Sequence, residues 1–196
     1  MLLLWDIDEG FSQIDKYMER RENDIVAGSF MALGLVNSGI TNECDPVQAI
    51  LIDKLETCRE EQLKIGALMG LSFTYAATAR ADLLEAISPI ILDDGNSTRL
   101  QAVAALTIGL IFVGTCDDDA AQSILQILME KDEDQLNDPF TRIFALGLGL
   151  LFLGQQAKAE ATMEVCNLIQ NKKFANFVEL VVDSCAYSGS GNVLKV

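Results

Sequence analysis

The sequence predicts an all-α solenoid of helix pairs, and three observations carry that prediction. First, a twelve-residue apolar segment recurs four times without gaps: GSFMALGLVNSG from Gly28, GALMGLSFTYAA from Gly66, VAALTIGLIFVG from Val103 and IFALGLGLLFLG from Ile143. Successive starts are 38, 37 and 40 residues apart. A period in this range marks stacked supersecondary units, typically helical pairs that cannot bury their apolar faces alone. Second, none of the 14 basic and 29 acidic residues lies in those four segments. Third, the stretches between them place apolar residues at helical spacing, so each unit holds one uncharged helix and one amphipathic helix. The uncharged helices are expected in a buried layer, with the amphipathic ones outside.

Each element follows in turn. MLLLWDIDEG opens a partial unit ahead of the first apolar segment. Asp45 before Pro46 is an N-cap followed by proline at the first helical position, which starts the helix DPVQAILIDKLETC. The later amphipathic helices are expected at about Asp82–Leu92, Asp118–Lys131 and Lys158–Gln170. Pro89 is expected to kink the first of these or split it near Ser88, because proline removes a helical donor. In the second, Ala120, Ala121, Ile124, Ile127 and Leu128 form the inward face; in the third, Ala161, Val165, Leu168 and Ile169 do so. A fifth unit begins near residue 182 with VDSCAYSGSGNVLKV. The repeat argues for a single array over residues 1–196, and the partial units at both ends suggest an excerpt of a longer protein, since arrays finish with polar caps.

Within the repeat, the seventh position reads Gly34, Ser72, Gly109, Gly149 and the twelfth Gly39, Ala77, Gly114, Gly154. Glycine costs a helix interior about 1 kcal/mol against alanine, so its recurrence calls for a compensating gain, here the close approach of neighbouring helices. GLGLLFLG lacks the GxGxxG spacing of a nucleotide loop. Twelve residues are also too few to span a bilayer, which takes ~20. The opening residues lack the basic flank and long apolar run of a signal peptide, and the chain reads as soluble and intracellular.

Chemistry is sparse. The chain has no histidine, the commonest general base. Five cysteines without CxxC spacing suggest neither a disulfide framework nor a zinc site, and read as reduced small hydrophobes. The runs Asp117–Asp119 and Asp132–Asp134 lack the alternate-position carboxylates and central glycine of a calcium loop; at a helix N-terminus the first run faces the positive end of the dipole. No enzyme activity, cofactor or metal is expected. A net charge of −15 repels nucleic acid and attracts basic protein surfaces. On the second outer helix, Asp119, Gln126 and Glu130 fall within ~40° of one another. Glu160 and Glu164 line up on the next helix, and Asp82 and Glu85 on the preceding one. Spacing alone fits a docking face and ordinary solvated positions alike.

The pattern GxxxALGLxxxG with paired helices and a period near 38 resembles the proteasome/cyclosome (PC) repeats shared by the two large scaffold subunits of the proteasome regulatory particle. LWDIDEGFSQIDKY, NSGITNECDP, VGTCDDD and CAYSGSGNVLKV look like the smaller of the two. The resemblance implies a closed toroid of two concentric helix rings, seen here as an arc. It also implies a non-enzymatic receptor, cytoplasmic and nuclear, for ubiquitin, ubiquitin chains and the ubiquitin-like domains of shuttle factors, held among other regulatory-particle subunits, with no nucleic-acid or membrane partner. The family's site lies on three neighbouring outer helices, which match those carrying Asp82 and Glu85, Asp119, Gln126 and Glu130, and Glu160 and Glu164. Gln126 stands where some members have aspartate. A second site, for the ubiquitin-like domain of a deubiquitinase, maps in part to Asp8, Glu9 and Gln13. The alternative is a purely structural scaffold segment whose partners bind elsewhere.

Overall fold

Alternating apolar and amphipathic segments fold as alternating helices in the computed structural model, which describes residues 7–40 and 45–192 and, of residues 7 and 8, the backbone only. Among the described residues every regular element is helical: α1 (Ile7–Met18), α2 (Asn23–Val36), α3 (Pro46–Thr57), α4 (Glu61–Thr74), α5 (Ala81–Leu92), α6 (Thr98–Ile111), α7 (Asp118–Glu130), α8 (Glu133–Leu136), α9 (Thr141–Leu151), α10 (Glu160–Cys166) and α11 (Lys172–Ala186). A 3-10 turn, Gln156–Ala159, precedes α10. The chain divides into two units, residues 1–76 and 77–196.

In the first unit α2 and α4, the helices that carry the uncharged segments, pack backbone to backbone. A Cβ on Gly34 would strike the Gly70 carbonyl, and one on Gly66 would lie 2.6 Å from the Ala27 carbonyl oxygen. Pairing Gly66 with Ala27 and Gly70 with Phe30 and Gly34 makes the two helices parallel. The amphipathic α3 connects them and buries Val47, Leu51 and Leu55. Its predicted start holds: Asp45 accepts from the Gln48 N–H at 3.2 Å, with Pro46 opening the helix. The Tyr75 hydroxyl after α4 donates to the same carboxylate.

The second unit repeats the arrangement, with α6, α9 and α11 as inner helices and α5, α7 and α10 as amphipathic ones. A Cβ on Gly109 would strike the Gly147 carbonyl, one on Gly147 would lie 2.6 Å from the Ala105 oxygen, and one on Gly149 3.0 Å from Cys185 Sγ. The small seventh residue thus serves the close approach expected of it.

The small twelfth residue does something else. Gly39, Ala77, Gly114, Gly154 and Gly189 all have φ between +60° and +73°, each two residues beyond the C-cap of its inner helix. At three of these positions the left-handed turn aims an N–H at an inner helix: Ala77 donates to Leu110 O at 3.0 Å, Gly114 to Leu150 O at 2.9 Å and Gly154 to Cys185 O at 3.0 Å. The acceptors lie in last turns, where carbonyls lack intrahelical partners. Ala77 adopts this conformation at a cost of about 1–2 kcal/mol.

Two expected helices differ in detail. α5 is not split at Ser88 but runs to Leu92, with Pro89 exposed, so that water can serve the carbonyl left without a donor. The helix expected over Lys158–Gln170 is shorter: the 3-10 turn takes its start and α10 stops at Cys166. There Asn167 turns its side chain back to the Met163 carbonyl at 3.2 Å, competing with the helical ladder. Ile169 is buried, whereas Ala161 and Leu168, assigned to the same face, are exposed, Leu168 to 72%. Cys166 is buried and its thiol is pushed up to about 11, first by desolvation; burial also raises Cys116 and Cys185. Cys44 lies outside the described residues.

One buried charge interrupts the apolar layer. Lys131, at the end of α7, donates from Nζ to Gln101 Oε1 at 2.8 Å and Thr98 Oγ1 at 3.5 Å, and its ammonium sits 5.8 Å from the Phe144 ring centre. The Gln101 amide in turn donates to the Ile91 and Asp93 carbonyls, both at 3.0 Å. This network ties together the ends of α5 and α7 and the first half of α6. Burial lowers the Lys131 pKa, against the opposing pull of Asp94, Asp132 and Asp138.

Two expectations follow. Within α2, Gly34→Ala should destabilise the fold by about 1–3 kcal/mol through overpacking, whereas Gly28→Ala, with nothing within 4 Å of its Cβ position, should stabilise it by about 0.5–1 kcal/mol. Urea melts that move the same way for both would refute this account of the glycines. For Lys131, a folded pKa below the unfolded value means that the unfolded chain binds more protons between the two. The stability of wild type relative to Lys131→Met should therefore rise with pH through that window, towards ~10.4. Paired denaturation curves giving a constant difference from pH 8 upward would contradict it.

Candidate functional site

The candidate face is built around α7. Asp117 caps it, accepting from the Ala120 N–H at 2.9 Å, and donates its own N–H to Thr115 Oγ1 at 3.2 Å. Asp118 and Asp119 occupy the first turn, at the positive end of the helix dipole. The second acidic run has a separate structural role: Asp132 and Gln135 form a reciprocal capping box that starts α8. Ala120, Ala121, Ile124, Ile127 and Leu128 are buried, as their spacing predicts. Lys131 anchors the far end of the helix, so its outward face is fixed at both termini.

Asp119, Gln126 and Glu130 are all exposed on α7, and Gln126 Nε2 donates to Glu130 Oε1 at 3.0 Å. α5 lies on one side of α7, where Ser88 and Ser123 bring their hydroxyls to 3.4 Å, and α10 lies on the other. The three outer helices expected to be neighbours are neighbours. Asp82 at the start of α5 is gripped by Arg80, with Nη2 to Oδ2 at 2.6 Å and Nε to Oδ1 at 3.1 Å, so its charge is largely offset. Glu85 is exposed one turn later.

Between α7 and α10 runs a groove of about 550 Å³. Ala121, Leu125, Met129, Thr162 and Val165 line it, with Asp118, Gln122, Gln126 and Glu130 contributing polar edges. Gln126 and Glu130 therefore meet at the groove. Asp119 is not part of its lining and sits a turn from Ser123, towards α5. Glu160 and Glu164 are exposed but, at 100° per residue, occupy the arc of α10 opposite Thr162 and Val165. The face thus combines an acidic ridge with an apolar trough. Leu125 and Met129 of that trough were not singled out from sequence, although they stand one residue beyond Ile124 and Leu128 and widen the apolar arc of α7 past what one packed face needs.

Of the second candidate site, Glu9 and Gln13 are exposed on α1, and Gln13 Oε1 accepts from Lys16 Nζ at 3.1 Å; the Asp8 side chain lies outside the described residues. Gln13 borders a largely apolar groove of about 240 Å³ with Ile14 and Tyr17 of α1 and Ile25, Gly28, Ser29 and Ala32 of α2.

No family model matches the chain. Individual relatives match all of it. It is 44% identical over 196 residues to the 26S proteasome regulatory subunit rpn1 of Schizosaccharomyces pombe, 43% to the 26S proteasome non-ATPase regulatory subunit 2 homolog A of Arabidopsis thaliana, and 37% to the 26S proteasome non-ATPase regulatory subunit 2 of Dictyostelium discoideum. In each case the match covers 100% of this chain and 22% of the relative. Helix pairs, repeat period and full-length similarity converge, and the chain belongs to the family of 26S proteasome non-ATPase regulatory subunit 2, of whose curated members it spans about a fifth.

Proposed function

We propose that this chain is a segment of a non-catalytic scaffold of the proteasome regulatory particle and that α5, α7 and α10 receive ubiquitin, ubiquitin chains and the ubiquitin-like domains of shuttle factors. The observation that carries the reading is the pairing of an acidic ridge, Gln126 and Glu130 with Asp119 behind them, with the apolar trough of Leu125, Met129 and Val165. Ubiquitin-type folds present an apolar patch ringed by lysine and arginine. The ridge would steer the basic ring and the trough would accept the patch. Glu9 and Gln13, with Asp8, are the proposed second contact, for the ubiquitin-like domain of a deubiquitinase. Other regulatory-particle subunits are partners of the scaffold in this reading, in cytoplasm and nucleus. No described helix is long and apolar enough to cross a membrane.

Titration of labelled ubiquitin against the chain tests this. Exposed ion pairs contribute only ~0.2–1 kcal/mol each. Several of them with a modest apolar contact reach about −5 to −8 kcal/mol, a dissociation constant of roughly 100 μM down to 1 μM. Asp119→Lys with Glu130→Lys should weaken binding about tenfold or more with helicity unchanged, and added salt should weaken the wild type in the same direction. Asp53→Lys with Glu56→Lys on α3 is the control and should change little. Equal losses in both would make the attraction diffuse charge rather than a site, and no saturable binding would leave the purely structural scaffold. In a separate experiment, Leu125→Ser with Met129→Ser should cost roughly tenfold while preserving the salt dependence, because it removes apolar contact and no charge. Unchanged affinity would dismiss the trough.

A further inference from the structure

Two of the residues lining the groove between α7 and α10, Met129 and Glu130, sit in the last turn of α7, where the final carbonyls have no intrahelical partner. No basic residue lies within that turn, and Glu130 places its carboxylate at the negative end of the helix dipole, an unfavourable position. Burial of Ile127 and Leu128 decides which side of the turn faces inward. Apolar contact is non-directional, however, and matches neither the carboxylate nor the open carbonyls.

Lys131 supplies what the turn lacks. The helix stops there, with ψ at 136°, while the Lys131 N–H still donates to Ile127 O at 3.1 Å. The side chain leaves the ridge for the core and ends on Gln101 Oε1 of α6 at 2.8 Å. Gln101 is itself only 2% exposed. Glu130 borders the groove on one side and, on the other, a polar cavity of about 260 Å³ that Lys131, Gln101 and Thr98 also line. An ammonium within and a carboxylate without therefore flank one helix end, and Gln126 Nε2 holds that carboxylate from the ridge. At 4% exposure, Lys131 is out of reach of anything docked on the face.

We infer that Lys131 is a positioning residue for the docking face: tied to Gln101, it fixes the last turn of α7 and so sets where Met129 and Glu130 meet a partner. This role rests on the receptor reading above. Its sign separates it from plain electrostatics. Removing the ammonium leaves the chain one charge more negative than −15, which by attraction alone would tighten the binding of a partner with a basic ring. Loss of position weakens that binding instead.

Calorimetric titration of ubiquitin into wild type, Lys131→Met, and Lys131→Met combined with Gln101→Leu tests it, together with amide hydrogen exchange of the unbound chains. Lys131→Met should weaken binding about fivefold. The double variant should lie within about twofold of the single one, because the two residues act as one tie. Replacing both partners of a buried polar pair by apolar groups of similar size is close to neutral, so the double variant carries the test if Lys131→Met alone does not fold. Exchange at the Met129 and Glu130 amides should quicken about tenfold or more, while the amides of α4 keep their wild-type rates. Equal or tighter binding by the variants overturns the inference, as does unchanged exchange at Met129 and Glu130. Exchange that quickens equally throughout α5, α6 and α7 makes the pair a general support of the fold and overturns it too. A wild type without saturable binding sinks the receptor reading itself, and this inference with it, whatever the exchange rates show.

Discussion

Direct backbone contact between parallel inner helices is the constraint from which the rest follows. At Gly34 against Gly70, and Gly109 against Gly147, no side chain separates the two helix backbones. Helices brought this close leave no room for charge or solvation, and the apolar segments accordingly contain no charged residue. The same closeness puts the end of one inner helix within reach of the turn leaving another, so a single left-handed residue can both redirect the chain and satisfy a terminal carbonyl. Packing and turn are therefore one device.

Pressing charge out of the inner layer concentrates it on the amphipathic helices, where it becomes available for recognition. Lys131 is the instructive exception. Its ammonium is buried among Gln101, Thr98 and the Phe144 ring, and Gln101 satisfies the end of α5 with the other end of its amide. A buried polar group is tolerated when its partners are complete, and here the partners belong to three helices at once. The ridge of α7 is thereby held from within the core, one residue beyond Glu130.

Much of this was legible in the sequence. Absence of charge marked α2, α4, α6 and α9, Asp45 with Pro46 marked the start of α3, and the 3.6-residue period placed Ile124 and Leu128 inside α7. What escaped were properties that a residue's identity does not encode. Smallness at the twelfth position looks the same whether it serves packing or a positive φ, and only the backbone distinguishes them. The break before α10 begins at Gln156, a non-glycine residue at φ +51°, with no glycine or proline within the helix to announce its early end. Lys131 reads as a solvated terminus until the fold closes over it. On the candidate face, alignment of exposed carboxylates was visible from spacing, but the trough between α7 and α10 depends on how two helices lie side by side, and Glu160 and Glu164 turned out to face away from it.

The brevity of α10 carries its own consequence. Seven helical residues behind a 3-10 turn fall short of the ~12–15 that an isolated helix needs to be even marginally stable, so α10 owes its order to Cys166, Ala159 and the neighbours they pack against. With Cys166 the one buried residue among its seven, α10 is expected to open more readily than the longer α7 beside it, which is capped at one end and anchored at the other. A groove with one stiff wall and one yielding wall adapts to what enters it. An occupant would then quench motion on the α10 side, and association would carry an entropic penalty offset by enthalpy, the signature of a surface that finishes ordering only when it is filled.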